Sequence, residues 1–361
     1  MEQEQKLYRI LTIDGGGVKG ILSGRILEAL EAKLNNLYEK KFGHPRKTPI
    51  RVAEYFDLVA GTSTGGILTC LLLHSSMPKP EGATDKSACI PDCTATDAVN
   101  LYIQHCEQIF KKTFWGTVPF LTGLGGPKFQ TDSYEKLLKK YFKSDRMSDL
   151  IRPCLIASYD IEARKAVFFT LTDALKDKDY NYSLSQVIRA TSAAPTYFPP
   201  EEVKSPNIKN PSIYGVDGGL FANNPSMCAF VEAIKMNVGI LGFDKFFIVS
   251  LGLATRQKSY DFNKALNWGL LGWINPILSI MMSGVSETVD YQLRKIYGAI
   301  QKPNQYHRIV PDLGDADTAI ELTTPKNVKA LSVAGIEGAK KANSDLDYIA
   351  QTIFDQQHYE L

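Results

Sequence analysis

Apolar residues fall along this chain in short blocks of two kinds, and the order of those blocks sets the expected architecture. Leu7-Tyr8-Arg9-Ile10-Leu11-Thr12-Ile13 is apolar and β-branched and predicts a first strand. From about Ile21 the apolar set Leu22, Ile26, Leu27, Leu30, Leu34 and Leu37 recurs at helical spacing. Tyr55-Phe56-Asp57-Leu58-Val59-Ala60 predicts a second strand, and Gly66 to Leu73 a buried helix. Thr96 is expected to cap a helix through Phe110, and Asp132 a helix over Tyr134 to Phe142. Cys154 to Tyr159 and Ala166 to Thr170 predict a strand pair, and Leu184 to Thr191 a helix that the following prolines stop. Tyr214-Gly215-Val216 is a short strand, Asn224 and Pro225 open another helix, and Phe246 to Leu251 is a further buried strand. This alternation predicts a three-layer α/β/α arrangement with a central, mostly parallel sheet. No internal repeat and no long linker divides the chain, so residues 1–361 are expected to form a single domain.

One stretch departs from the alternation. Residues 265–286 carry no charge and include Trp268, Leu270, Leu271, Trp273, Ile274, Ile277, Leu278, Ile280, Met281 and Met282. That is almost the length of a membrane span. Asn267, Asn275-Pro276 and three glycines interrupt it, so a helical pair packed on the core is expected, with an exposed lid or interfacial surface as the alternative.

Composition narrows the function classes. Apolar residues make up 44% and charged residues 22% of 361, an ordinary globular balance with ample material for a core. A net charge of +2 gives no reason to expect a nucleic-acid partner. The six cysteines include only one close pair, Cys89 and Cys93, with no second pair or histidine pair to complete a zinc site. No metal and no cofactor are therefore expected. The N-terminal Met-Glu-Gln-Glu-Gln-Lys lacks an apolar signal core, which predicts a cytoplasmic protein with at most peripheral membrane association.

Two glycine-rich turns carry the candidate chemistry. Gly61-Thr62-Ser63-Thr64-Gly65 lies between a predicted strand and a predicted helix, the setting of a nucleophile elbow. Its glycines permit a cramped turn that holds the Ser63 hydroxyl at the sheet edge, above the positive end of a helix. The same pentapeptide also serves as an ordinary turn. Asp14-Gly15-Gly16-Gly17-Val18-Lys19-Gly20 joins the first strand to the first helix. It satisfies the dinucleotide fingerprint G-x-G-x-x-G, yet the acidic residue that fingerprint needs would fall inside the helix that carries Glu31 and Glu39. Successive glycine N–H groups at a helix N-terminus also suit an oxyanion hole, which an acyl-transfer serine requires.

A catalytic serine needs a base, most often histidine. His44, His74 and His105 lie early or beside the elbow helix, His307 falls inside a strand and His358 is three residues from the end. None makes a good third member of a triad. Asp217 follows a strand and precedes Gly218-Gly219, so it can be presented at the sheet edge as Ser63 is. Burial would raise its pKa and make it a stronger base. Asp-Gly is equally a common turn pair.

Together the three motifs Asp14 to Gly20, Gly61 to Gly65 and Asp217-Gly218-Gly219 stand in the order and spacing of the patatin family, which this chain resembles. Ser192-Ala193-Ala194-Pro195-Thr196-Tyr197-Phe198-Pro199 and the surroundings of Asn267-Trp268-Gly269 are similar to the family's too. The resemblance covers about residues 7–310, nearest the plant storage-protein branch, and leaves 311–361 as a C-terminal helical extension without a matching motif. It implies a patatin-like fold with Ser63 as nucleophile and Asp217 as the sole base of a dyad. Gly15, Gly16 and Gly17 would form the oxyanion hole. Lys19, Gly20, Gly61, Gly65, Gly218 and Gly219 would support the loops. The implied activity is a metal-independent phospholipase A or galactolipase. Its expected partners are a phospholipid or galactolipid substrate and, transiently, a membrane surface. Apart from the resemblance, a cytoplasmic lipase endangers its own membranes, so control by a ligand, a protein partner or a lid is expected. A storage or lipid-binding protein with ancillary esterase activity is the alternative, and a dinucleotide-binding module a third reading. The aromatic segment Phe114 to Gly126 is a candidate border of the acyl pocket.

Overall fold

The computed structural model describes residues 6–77, 89–112, 127–237, 242–253 and 259–357. The candidate pocket border at 114–126 and His358 lie outside the described residues.

In chain order the elements begin with strand β1 (Tyr8–Ile13), helix α1 (Gly20–Phe42), β2 (Leu58–Thr62) and α2 (Thr64–Leu73). Next come α3 (Ala95–Ile109), α4 (Asp132–Phe142), β3 (Cys154–Asp160), β4 (Lys165–Thr170), α5 (Leu171–Lys176) and α6 (Leu184–Thr191). The second half holds β5 (Glu201–Val203), β6 (Ile213–Asp217), α7 (Gly219–Ala222), α8 (Ser226–Met236) and β7 (Phe246–Leu251). It ends with α9 (Phe262–Ala265), α10 (Leu270–Ala299), β8 (Tyr306–Ile309), α11 (Pro325–Lys341) and α12 (Asn343–Asp355).

The strands form one sheet in the order β5-β6-β3-β2-β1-β7-β8, with β4 also paired to β3. The pairs β1–β2, β1–β7, β2–β3 and β7–β8 are parallel, while β4, β5 and β6 run antiparallel to their neighbours. Alternate residues of the central strands enter two separate cores, as a period of two requires. Leu11, Val59, Phe247 and Val249 join the larger core, which α1, α2, α3, α11 and α12 cover. Ile10, Leu58, Ala60, Phe246 and Ile248 join a smaller one beneath α8 and α10. Helices thus lie on both faces of a mostly parallel sheet, the expected three layers.

Several local expectations are corrected. Val52–Tyr55 forms a 3-10 turn, so β2 begins only at Leu58. Thr94, not Thr96, caps α3, accepting a bond from the Asp97 N–H. Asp132 is the first residue of α4 and Thr131 its cap. Pro225 takes the cap position of α8, and the side-chain oxygen of Asn224 accepts from the Ser226 N–H. Residues 270–299 form one long helix with Pro276 inside it, rather than a helical pair.

The tail beyond 310 packs back on the body. Leu331 of α11 and Leu346, Ile349 and Ile353 of α12 are fully buried in the larger core with Leu30 and Leu34 of α1. Gly335 lets α11 lie against Leu22 and Arg25, where a methyl group would stand 2.8 Å from the Arg25 Cβ.

The outward side of α10 is unusual. Trp273, Ile277, Ile280 and Met281 share one face at helical spacing and are all exposed. The opposite side carries Leu278, Ser279, Met282, Ser283 and Ser286 and lines a cavity. Phe262 and Leu266, just before α10, are exposed 73% and 67%. No described helix is long and apolar enough to cross a membrane.

Candidate active site

Sheet register brings the two candidate catalytic residues together. Thr62, the last residue of β2, pairs with Ala157 of β3, and Asp217, the last of β6, pairs with Ser158. Ser63 and Asp217 therefore emerge on adjacent rungs although 154 residues separate them. The Ser63 hydroxyl donates to Asp217 Oδ2 at 2.6 Å.

Ser63 stands at φ 55°, ψ −122°, outside the usual range of a side-chain-bearing residue. Its surroundings hold it there. The Ser63 N–H donates to Thr191 Oγ1 at 3.0 Å, and the Thr191 hydroxyl donates to the Ala157 carbonyl at 2.5 Å. The turn closes because Gly61 and Gly65 lack side chains. A Cβ on Gly61 would lie 2.2 Å from the Gly65 oxygen, and one on Gly65 2.0 Å from the Ile13 oxygen. Backbone atoms cannot move aside at those distances, so both positions exclude alanine. Helix α2 starts immediately after Ser63, aiming its N-terminal N–H groups and positive end at the same place.

Asp217 is 3% exposed. Burial pushes its carboxyl from the ordinary 3.8 up to about 6, while bonds from the Ser63 hydroxyl and the Gly219 N–H pull it partly back. The Gly219 bond holds Oδ1 at 2.7 Å, which leaves Oδ2 facing the serine.

Of the three glycines expected to form an oxyanion hole, Gly15 has its N–H engaged, donating to the Asn223 carbonyl at 3.0 Å, so it is not free to meet an oxyanion. The N–H groups of Gly16 and Gly17 make no hydrogen bond among the described residues. Gly17 is held at φ 61°, with its carbonyl accepting from Thr64 Oγ1 and the Tyr102 hydroxyl. Gly20 packs against Thr64, and Gly218 against the Ala157 carbonyl, so both allow close approach at the edges of the site. Lys19 borders the cavity. Burial lowers its pKa, and Glu321 opposes that shift.

Described histidines are engaged elsewhere. His74 lies between Asp92 and Asp145 at 2.9 and 2.7 Å, and His105 contacts the Tyr141 hydroxyl at 2.9 Å. His307, in β8, contacts the Asn304 carbonyl at 2.9 Å. The dinucleotide reading also loses its acidic partner, since Glu31 is buried in α1 accepting from the N–H groups of Val52 and Ala95.

A cavity of about 630 Å³ opens over Asp217. Tyr197, Leu220, Leu253, Leu278 and Met282 give it apolar walls, and Ala194 and Pro195 of the small-residue block complete one side. The arrangement can activate a hydroxyl nucleophile, receive its proton on a poorly solvated carboxylate, and accept an apolar chain beside that carboxylate.

Two residues that support the site carried no readable sequence signal. Thr191 orients the Ser63 backbone. Arg308 grips Asp14 through two bonds of 3.0 and 2.6 Å and donates to Ser250 Oγ at 2.7 Å. Both side chains of this pair are almost wholly buried, at 7% and 2% exposure. The clamp ties the start of the glycine loop to β8, across β7. Arginine's planar fork suits this two-point grip on a carboxylate.

The sequence model of the patatin-like phospholipase family matches residues 11–229, a span that contains the glycine loop, Ser63 and Asp217. Patatin-like protein 1 of Arabidopsis thaliana is 32% identical over 352 residues, covering 91% of this chain and 80% of that relative. Patatin-like protein 3 of the same plant is 30% identical over 361 residues, covering 93% and 81%. A Solanum tuberosum protein named probable inactive patatin-3-Kuras 1 is 28% identical over 355 residues, covering 94% and 88%.

Removing one partner of the buried clamp leaves the other as an unpaired buried charge. Arg308→Met is expected to lower the unfolding free energy by roughly 3–5 kcal/mol. Denaturant melts of the two proteins at neutral pH check this, and a loss under about 1 kcal/mol would show that the clamp is not structural.

Proposed function

The chain belongs to the patatin-like phospholipase family, a family of lipid acyl hydrolases, and from that premise we propose that it cleaves fatty-acyl esters through Ser63 and Asp217. The observation that carries the reading is the 2.6 Å bond from the Ser63 hydroxyl to a buried carboxylate whose pKa burial has raised to about 6. The intact contact also favours an active enzyme over the state implied by the name of the inactive potato relative.

In the proposed reaction Ser63 Oγ attacks the ester carbonyl as its proton passes to Asp217 Oδ2. The carbonyl oxygen becomes negative within reach of the unengaged N–H groups of Gly16 and Gly17 and the N-terminus of α2. Asp217 then protonates the leaving alcohol, and Ser63 keeps the acyl group. Water hydrolyses this acyl-enzyme with Asp217 again as base. A carboxylate is a poor base in water, and its desolvation is what fits it to the task. The apolar cavity walls suit a fatty-acyl chain, and phospholipid or galactolipid is the proposed substrate. No step requires a metal ion, which defines the activity as a metal-independent carboxylic ester hydrolase.

The membrane-surface contact is proposed for the outward face of α10. Over residues 273–281 the side of this helix that faces water is apolar, while the side that lines the cavity carries serines, a surface that suits contact with lipid. Trp268 and Trp273 stack edge to face at 5.1 Å and Tyr260 meets Trp268 at 5.4 Å, a group suited to the headgroup region.

Fatty-acid release from mixed phospholipid and galactolipid vesicles is expected from the wild type, undiminished by excess chelator. Ser63→Ala and Asp217→Asn should each lose it by about three orders of magnitude or more. Since the working form of Asp217 is the carboxylate, kcat/KM should rise about tenfold per pH unit up to about pH 6 and then level. An active Asp217→Asn enzyme would assign the base elsewhere.

Polar replacement of the outward face, Trp273→Ser with Ile277→Ser, should cut vesicle hydrolysis about tenfold or more. Cleavage of a soluble short-chain ester should stay within about twofold, because neither side chain borders the cavity. Equal losses on both substrates would place the effect in the cavity instead.

A further inference from the structure

The loop proposed to meet the oxyanion is built of glycines, which do not fix its shape by themselves. We propose that residues 317–322, which lie beyond the span matched by the family model, form a strap that holds this loop in its working conformation, and that Asn327 is the positioning residue that holds the strap. This inference rests on the Ser63–Asp217 reading and extends it to the C-terminal part of the chain.

The strap meets the loop at a single peptide group. The Val18 N–H donates to the Ile320 carbonyl at 2.8 Å. On the other edge of the same peptide, the Gly17 carbonyl accepts from Thr64 Oγ1 at 2.8 Å and from the Tyr102 hydroxyl at 2.9 Å. A peptide group is planar, so bonds on both edges fix its orientation. That plane sets ψ of Gly17 and, with φ at 61°, the direction of the Gly17 N–H. Glycine explores a wider range than any other residue, so this direction has to come from the partners. The approach is close, since a Cβ on Gly17 would overlap the Ile320 carbonyl oxygen. Thr318, Ala319, Ile320 and Glu321 also line the cavity over Asp217, so the strap borders the site along most of its length.

Asn327, in the first turn of α11, holds the strap at both ends and is 5% exposed. Its Oδ1 accepts from the Asp317 N–H at 2.8 Å, and its Nδ2 donates to the Leu322 carbonyl at 2.8 Å. Both partners are backbone groups, which leaves the amide one orientation. Within the strap the Ala319 N–H donates to Asp317 Oδ1 at 2.8 Å. A second hold lies next to Ile320, where Glu321 pairs with Lys128 at 2.6 Å. Asn327 itself does not border the cavity over Asp217, so it acts on the loop through Ile320.

Releasing the strap frees the Gly17–Val18 peptide to turn. The loss then appears when the carbonyl oxygen becomes negative, not when the substrate binds. This separates positioning of the loop from shaping of the cavity.

The test compares wild type, Asn327→Ala and Glu321→Gln on three compounds. One is a soluble short-chain ester. The second is a trifluoromethyl ketone with the same acyl chain. Ser63 Oγ bonds to its carbonyl carbon as the proton passes to Asp217, and the oxygen becomes negative in the loop. The third is the matching trifluoromethyl alcohol, which fills the cavity and cannot be attacked. For Asn327→Ala, kcat should fall about tenfold or more with KM within about twofold. The ketone inhibition constant should rise by about the factor that kcat/KM falls, while that of the alcohol stays within about twofold. Glu321→Gln should give the same pattern at about threefold or more, and carries the test if Asn327→Ala does not fold. Inhibition constants are read on folded enzyme, so partial unfolding leaves them unchanged. Unchanged ketone binding in both variants, with wild type forming the Ser63 adduct seen by fluorine NMR, overturns the strap alone. Equal weakening of ketone and alcohol overturns it too, because the strap would then shape the cavity and not the loop. Wild type that neither cleaves the ester nor forms the adduct overturns the Ser63–Asp217 reading on which the inference rests.

Discussion

A carboxylate held out of water against a serine hydroxyl is the interaction on which the site depends. Moving Asp217 from 3.8 to about 6 corresponds to roughly 3 kcal/mol of lost preference for the charged form. Since the folded value is the higher one, the contribution of Asp217 to stability is greatest below about pH 4. That contribution declines between about pH 4 and 6 as the buried group ionises. The turn at Ser63 adds backbone strain on the order of 1–3 kcal/mol. Such strain persists only where the surroundings over-determine it. Here they are Thr191, the facing glycines Gly61 and Gly65, and a sheet whose two faces are both buried.

Much of this was legible in the sequence because it rests on local rules. Strand blocks, the long first helix and the two glycine turns follow from periodicity and from the backbone freedom of glycine. The absence of a suitably placed histidine pointed to Asp217. What the sequence left open is tertiary. Nothing local marks Arg308 as the partner of Asp14, since the two meet only when β8 docks beside β7. Nothing local shows that the Gly15 N–H is committed to Asn223 while those of Gly16 and Gly17 are not. The antiparallel direction of β6, which places Asp217 beside Ser63, is a property of the register with β3. The pair of helices expected over 265–286 failed for another reason. Pro276 looks like a helix breaker in isolation, yet it is accommodated within the long α10.

The proposed membrane contact and the proposed chemistry share one helix, α10. Its serine-bearing side walls the cavity that Asp217 borders, and its apolar side faces outward. The same helix supplies Ser286, which links Asn223 to the buried Asp14 and so connects the surface-facing element to the glycine loop. Core packing, the Asp14–Arg308 clamp and the candidate chemistry therefore belong to one continuous structure.

The most direct test of the central claim is a titration of the Asp217 carboxyl by difference infrared spectroscopy, with Asp217→Asn as the reference. The account predicts a protonated carboxyl band, absent in the variant, that disappears with a midpoint near pH 6. A midpoint at or below the ordinary carboxylate value near 3.8 would contradict it. Asp217 would then be a solvated turn residue, too weak a base to activate Ser63.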